Sequence, residues 1–308
     1  MTVLYKADPA RGRIWQRIFA DAFPDLPFHI WPDCPAPEDV EYLIAWTLPP
    51  VLPGAMPRLR AIFSVGAGVD QLGMEAIPVH VPVVRLVDPH TAVSVAEYVA
   101  TAVLALHRDL PAYIHRKAQK NWAQLPVVPA SGRRVGFLGM GTMARAAIDR
   151  LRPFGFVLSG WSRSRHEMEG VECFAGADEL DGFLGGTDIL VCLLPLTPQT
   201  EGILNADLFA RLPAGAALVQ AGRGAHLDHE ALIAALDCGH LRSAMLDVTA
   251  PEPLPRDHPI WEHPGILLTP HIGAMTNPES AARIVIDNMH RLSRGEEPVG
   301  LVDRTAGY

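Results

Sequence analysis

Short apolar runs alternate with amphipathic and turn segments along the whole chain. VLYKA (3–7), FHIW (28–31), YLIAW (42–46), AIFSV (61–65) and VPVVRLV (81–87) read as strands, with a helix over 11–23 between the first two. Strand-like runs separated in this way imply a parallel α/β sheet. An apolar stretch at 91–106, broken by Glu97, predicts a buried helix over about 91–107. It falls short of the roughly 18–20 uninterrupted apolar residues of a membrane span. A polar, proline-rich segment at 117–134 follows, and then the pattern restarts. RVGFLGMG (134–141), FVLSGW (156–161), DILVCLL (188–194), AALVQA (216–221), SAMLDV (243–248) and ILLTP (266–270) predict a second sheet of about six strands, with a helix at 142–152. A last helix, 278–294, follows the final strand and is expected to cross back to the first sheet. The pattern predicts two doubly wound parallel-sheet domains, 1–98 plus 280–308 and 99–279.

The length of 308 residues suits two domains. Hydrophobic residues make up 49% and charged residues 19%, a globular composition that excludes disorder. With 26 Lys and Arg against 34 Asp and Glu, the net charge is −8, which argues against nucleic acid as a partner. An anionic ligand therefore has to be caught locally, by particular arginines or backbone amides. The N-terminal MTVLYKADPARGR lacks the apolar core and cleavage site of a signal peptide. Cys34, Cys173, Cys192 and Cys238 are scattered, without a C-x-x-C pair, which points to reduced thiols and a cytoplasmic setting with no membrane partner.

The clearest local signal is Gly139-Met140-Gly141-Thr142-Met143-Ala144, entered from an apolar strand and followed by a helix with Met143, Ala147, Ile148 and Leu151 on one face. This is the G-x-G-x-x-G/A dinucleotide fingerprint in its required context, so the second domain reads as Rossmann-like. Gly139 permits the tight turn, Gly141 lets the backbone approach a pyrophosphate, and Ala144 is small enough for helix–strand packing. The amides of the helix N-terminus, around Thr142 and Met143, suit phosphate. NAD-specific folds place an acid about 20 residues on. Here the next strand ends Trp161-Ser162-Arg163-Ser164-Arg165, and no acid occurs before Glu167. Ser162, Arg163 and Arg165 suit a 2′-phosphate, so NADP(H) is expected over a weaker NAD(H).

Arg223, Glu252 and His271 each follow a predicted strand of the second sheet, at the carboxyl ends where open α/β sheets bind ligands. Individually, a loop arginine, a glutamate between prolines and a lone histidine are ordinary. Together they supply what carbonyl reduction needs: a cation for a carboxylate and carbonyl, a proton donor, and an acid that stabilises the charged imidazole. His226, Asp228, His229 and Glu230 look superficially like a metal cluster, but Asp228 is better read as the N-cap of a helix running to about Asp237, with Glu230 complementing its dipole; no metal is expected.

At this point the sequence resembles the D-isomer-specific 2-hydroxyacid dehydrogenases over nearly its whole length. The resemblance rests on VGAGVD (65–70), GMGTMA (139–144), AGRG (221–224), DVTAPEPLP (247–255), HPIW (258–261) and TPHIGA (269–274); WSRSR (161–165) and the closing DRTAGY (303–308) resemble the short glyoxylate/hydroxypyruvate reductase subgroup. It implies two Rossmann-like domains, the first flavodoxin-like and substrate-binding, with the active site in the cleft between them. It implies NADPH-dependent reduction of a small 2-keto acid, with His271 as proton donor, Glu252 as its partner and Arg223 on the substrate carboxylate. Asp247 would hold the nicotinamide amide, and Leu194, Pro195, Ala221 and Gly222 would line the cofactor. The backbone at Val65, Gly66 and Ala67 would grip the substrate carboxylate. Trp46 is either a wall of the substrate pocket or core. The family implies a homodimer, in which Trp122 reads as interface or packing; Arg85 reads either as facing the cleft or as capping a sheet edge. Gln220 and Gly222 depart from the family pattern, and Gly222 adds backbone freedom beside Arg223. Rival readings are another D-2-hydroxyacid dehydrogenase such as a phosphoglycerate enzyme, disfavoured by the lack of a C-terminal regulatory domain, or a non-catalytic dinucleotide-sensing module of the corepressor kind. A formate dehydrogenase would want Gln in place of Glu252.

Overall fold

The computed structural model describes residues 2–50 and 55–304; the last four residues of the DRTAGY motif lie outside the described residues. The chain divides into two compact units, Met1–Thr91 with Thr276–Tyr308, and Ala92–Met275.

The first unit is a parallel sheet of β1 (Thr2–Lys6), β2 (Phe28–Ile30), β3 (Val40–Ala45), β4 (Ala61–Ser64) and β5 (Val83–Val84), in the order β2-β1-β3-β4-β5. This is the flavodoxin-like doubly wound order. The central strands are apolar throughout because both faces are covered. On one side Val3, Tyr5, Phe63 and Ala61 pack with Trp15 and Phe19 of α1 (Pro9–Ala22). The last helix, Pro278–Ser293, packs into the same cluster through Ala281, Ala282, Val285, Ile286 and Met289. On the other side Leu4, Leu43 and Ile62 pack with Leu72, Ile77 and Val81. Only Val83–Val84 of the apolar run 81–87 is a strand, paired with Ile62 and Phe63 of β4 on one side and met by the C-terminal segment on the other. Val302 N–H donates to Val83 O at 2.9 Å and Arg85 N–H to Gly300 O at 2.9 Å, which places Arg85 at this sheet edge.

The second unit holds seven parallel strands: β6 (Arg134–Leu138), β7 (Val157–Ser162), β8 (Glu172–Ala175), β9 (Ile189–Cys192), β10 (Ala216–Gln220), β11 (Leu241–Leu246) and β12 (Ile266–Leu268). Their order is β12-β11-β10-β9-β6-β7-β8, the Rossmann order extended by one strand. The sequence pattern misses β8, an edge strand of four residues, none fully buried. An edge strand with little apolar burden leaves no period-2 signature. The helix α2 (Pro89–His107) is long and apolar enough to cross a membrane by composition alone. Val95, Ala96, Val99, Ala102, Val103 and Leu106 instead bury that surface in the core of this unit with Phe137, Ile148 and Val191, as the buried-helix reading of this stretch expects. A further helix the pattern misses, α3 (Leu110–Ala118), follows directly.

Candidate active site

The strand order of the second unit reverses direction between β6 and β9, and its loops carry the sequence-predicted residues. Each loop is fastened to the carboxyl edge by one ladder bond beyond its strand. Gly139 N–H donates to Trp161 O (2.8 Å), Leu193 N–H to Leu138 O (2.9 Å), Asp247 N–H to Gln220 O (2.9 Å) and Thr269 N–H to Leu246 O (2.9 Å).

The glycine-rich turn connects β6 to α4 (Thr142–Leu151). Gly139 has φ +99°, and a Cβ there would lie 3.0 Å from Leu193 O, so both conformation and space call for glycine. Gly141 is the N-cap and provides no side-chain acceptor for the first-turn amides, and nothing lies within 4 Å of where its Cβ would stand. Ala144 is buried against the sheet while Thr142 is exposed and Met143 half-buried. An uncapped helix N-terminus under open space fits a dinucleotide pyrophosphate.

At the end of β7, the Ser162 hydroxyl donates to Ser164 O (2.7 Å) and shapes the turn, which presents Arg163 to solvent. Arg165 instead turns toward the sheet edge. It donates to Cys173 O (3.2 Å) and pairs with Glu179, whose other oxygen accepts from Ala175 N–H (2.7 Å).

After β10, Gln220 is fully buried and braces the next loop at both ends: its Oε1 accepts from Gly222 N–H (3.2 Å) and its Nε2 donates to Arg223 O (2.8 Å). His226, also fully buried, accepts from Arg223 N–H at Nδ1 (3.1 Å) and places Nε2 3.2 Å from Pro195 O, tying the 195 and 223 loops together. A Cβ on Gly222 would stand 3.0 Å from His226 Nδ1 and 3.2 Å from Leu194 O. The freedom glycine brings at this position is thus offset by close walls. Gly224 is tighter still, its Cβ position falling 2.0 Å from the Thr249 carbonyl.

His271 Nδ1 lies 2.8 Å from Glu252 Oε2, and Glu252 Oε1 accepts from Thr249 N–H (3.0 Å). A carboxylate only accepts, so the Nδ1 atom carries a proton. Burial alone would raise the Glu252 carboxyl; the hydrogen bonds from His271 and Thr249 and the nearby charges of His271 and Arg223 hold it below the ordinary carboxylate range. His271 has φ +55°, a backbone region that non-glycine residues seldom occupy. Asp247 imposes it. Its carbonyl accepts from His271 N–H (2.8 Å), its Oδ1 from Thr269 Oγ1 (2.7 Å) and Ile272 N–H (2.9 Å), and its Oδ2 from Gly273 N–H (2.7 Å). Tyr98 OH from α2 stands 2.7 Å from Thr269 Oγ1. Since that threonine donates to Asp247, the phenol is the donor of this bond. Burial pushes the Tyr98 phenol above its ordinary value, so it remains a donor at neutral pH.

In the first unit, Trp46 follows β3 and is 36% exposed, its ring edge 3.0 Å from where a Gly66 Cβ would stand. The 65–67 turn after β4 is shaped by Ser64, whose Oγ accepts from Gly66 N–H (3.2 Å) and donates to Gly68 O (2.7 Å). Trp46 and Val65 line a cavity of about 530 Å³. The exposed Trp46 is thus a cavity wall rather than core. Ala67 is half-buried in the same turn.

Residues 100–273 match the D-isomer specific 2-hydroxyacid dehydrogenase NAD binding domain, more than half of the chain. The chain belongs to the D-isomer-specific 2-hydroxyacid dehydrogenase family. This dehydrogenase is 40% identical over 277 residues to glyoxylate/hydroxypyruvate reductase A of Yersinia enterocolitica, covering 88% of each chain. Its fold matches a D-isomer specific 2-hydroxyacid dehydrogenase of Xanthobacter autotrophicus Py2, solved with NADPH and MES, at a TM-score of 0.92 and 37% identity over 100% of this chain and 99% of that one. It likewise matches an NADPH-dependent glyoxylate/hydroxypyruvate reductase of Sinorhizobium meliloti, solved with NADP and sulfate, at 0.90 and 35% over 100% and 99%.

Four side chains that organise these loops of the dehydrogenase escape the sequence reading. Tyr98 sits in a helix whose apolar period explains it as core. Gln220 registers only as a departure. His226 lies beside Asp228, whose carboxylate does cap the following helix by accepting from Ala231 N–H (3.0 Å). Arg11, in α1, lines the cavity of the first unit with no motif around it. Trp122 is 99% exposed beyond α3, beside Arg116 and Lys120.

Proposed function

We propose that this protein is an NADPH-dependent reductase of glyoxylate or hydroxypyruvate. The observation that carries this reading is the Glu252–His271 pair at 2.8 Å, set on the same sheet edge as the uncapped Gly139–Ala144 turn. When bound, NADPH supplies a hydride to the keto carbon. His271, held through Nδ1 by Glu252, gives the Nε2 proton to the keto oxygen. Arg223 holds the substrate carboxylate and polarises the carbonyl, and the backbone at Val65, Gly66 and Ala67 holds the same carboxylate, with Trp46 as a wall. Gly139, Gly141, Thr142 and Met143 hold the pyrophosphate. Ser162, Arg163 and Arg165 form the 2′-phosphate turn, in which both arginines are exposed and Arg165 is braced by Glu179. Leu194, Pro195, Ala221 and Gly222 line the cofactor. Asp247 Oδ2 accepts one bond, from Gly273, and keeps a lone pair for the nicotinamide amide.

The names of the relatives and the NADP(H) in the related structures support this assignment. Four free cysteines are consistent with a cytoplasmic setting. The exposed Trp122, with Ile114 at 50% and Val127 at 75% exposure, offers apolar surface to a second copy in a homodimer. The test is initial rates with NADPH and NADH across glyoxylate, hydroxypyruvate, pyruvate and phenylpyruvate. Fastest turnover is expected with NADPH and glyoxylate or hydroxypyruvate; absence of turnover with every keto acid would leave the sensing-module reading standing.

A further inference from the structure

Among the described residues, the cavity of the first unit holds two cations and no ion pair. Lys6, Asp8, Arg11, Trp31, Trp46, Thr47 and Val65 line an open cavity of about 530 Å³. Lys6 Nζ donates to neutral acceptors only, Thr47 O (3.0 Å), Thr47 Oγ1 (2.8 Å) and Leu48 O (2.8 Å). Arg11 lies 5.8 Å over the Trp15 ring and makes one long bond, Nη2 to Val65 O at 3.4 Å. Its Nε is buried without a hydrogen-bond partner. Both carboxylates that act on Arg11 are committed to helix starts. Asp8 accepts from Ala10 N–H (3.2 Å) and Arg11 N–H (3.0 Å); Asp88 accepts from His90 N–H (2.9 Å) and Ser280 Oγ (2.6 Å). Among the described residues no carboxylate lies within ion-pair distance of Lys6 or Arg11. Burial correspondingly lowers the pKa of both cations. A half-buried cation with no carboxylate in contact, only the more distant charges of Asp8 and Asp88, gains from a ligand that supplies one. The volume also falls in the range of small-molecule pockets, about 300–1,000 Å³, and exceeds what a two-carbon acid fills.

We propose that this cavity is an anion subsite for a second acidic group on the keto-acid substrate, with Arg11 as its main donor and Trp46 and Val65 as the walls it shares with the carboxylate-gripping turn. The inference rests on the reductase reading and extends its substrate class, beyond glyoxylate and hydroxypyruvate, to 2-keto acids with a distal carboxylate. Glyoxylate and hydroxypyruvate leave the subsite without a charge to pair.

The experiment compares oxaloacetate with 2-oxobutyrate, of the same chain length but without the distal acid, using NADPH and the wild type, Arg11→Gln and Arg11→Lys. The wild type is expected to favour oxaloacetate in kcat/KM by at least about tenfold, the lower end of a charge-assisted hydrogen bond. Arg11→Gln should collapse that ratio, mostly through KM, and Arg11→Lys should restore part of it. A wild-type ratio near one, or a ratio that Arg11→Gln leaves unmoved, overturns the proposal. Succinate provides an arm independent of turnover and of the variants' folding: it should raise the wild-type melting temperature more than butyrate does. If no keto acid is turned over at all, the reductase reading fails while the succinate arm still decides the subsite; equal shifts with succinate and butyrate reject it.

Discussion

The carboxyl edges of the two sheets are built differently. Along the seven-stranded sheet, each loop near His271 is braced by buried groups: Asp247 with three accepted bonds on its carboxylate, Gln220 with both ends of its amide engaged, and His226 spanning two loops. Glycines at 224 and 273 sit where a Cβ would strike backbone or carboxylate, at 2.0 Å and 2.7 Å. Along the five-stranded sheet, the cavity has an exposed Trp46, an arginine with an unpartnered Nε, and a lysine tied only to neutral oxygens. A proton transfer loses rate steeply when donor and acceptor are misplaced by an ångström, so its support must be over-determined. A surface that sorts substrates needs unspent polar capacity instead.

The sharpest way to break this comparison is at the proton donor. His271→Ala should lower kcat for keto-acid reduction by about 10²–10⁴, the usual worth of a positioned general acid. NADPH affinity, measured by fluorescence titration, should change little, because the proposed phosphate contacts lie on other loops. A comparable loss of cofactor binding would mean the histidine holds the loop edge together rather than acting in chemistry.

Arg163→Ala should weaken NADPH far more than NADH, by about 10–150-fold for a lost charge-assisted contact of roughly 1.5–3 kcal/mol. Equal weakening of both cofactors would reassign the turn to general binding.

Glu252→Gln keeps the shape of the pair and removes its charge. The basic limb of kcat/KM against pH should move to lower pH, with activity surviving best in acid, and a deuterated-cofactor isotope effect should verify that chemistry is being read. The same variant has a stability signature. Because the folded Glu252 carboxyl is held below its ordinary value, its contribution is present above the unfolded carboxylate pKa and is lost as pH falls through the folded one. The gap between wild-type and variant melting temperatures should therefore close on acidification. An unmoved basic limb shows that the two residues are uncoupled.

Tyr98→Phe tests the bracing itself. Removing one hydrogen bond of about 0.5–1.5 kcal/mol from Thr269 should cut kcat by about 2–10-fold and leave KM for NADPH alone. No change would show that Asp247 holds the turn without help. The smallest effect is expected on the open side. Trp46→Ala should improve bulky keto acids relative to glyoxylate, and unchanged relative kcat/KM values across the panel would remove Trp46 from the substrate wall.

The features legible in the sequence are those that local rules enforce. Short apolar runs mark the strands, most clearly those buried on both faces, and all five strands of the first sheet and six of the seven in the second follow from them. The strand–turn–helix context of Gly139–Ala144 follows from backbone sterics at φ +99°. The placement of Arg223, Glu252 and His271 on one edge follows from parallel strands, which all point their carboxyl ends the same way. Only the tertiary structure decided what supports them. Tyr98 and Thr269 are 171 positions apart, and Arg11 reaches Val65 across 54, separations over which no sequence period carries information. Tertiary pairing likewise decides which way similar side chains turn. Arg163 and Arg165 are chemically alike and two residues apart, yet the pairing with Glu179 fourteen positions on turns only Arg165 toward the sheet edge. Asp8 and Asp88 become helix caps, accepting from Ala10, Arg11 and His90 N–H, and so act on the Arg11 charge from a distance without pairing with it, because the folded chain fixes each carboxylate at its helix start.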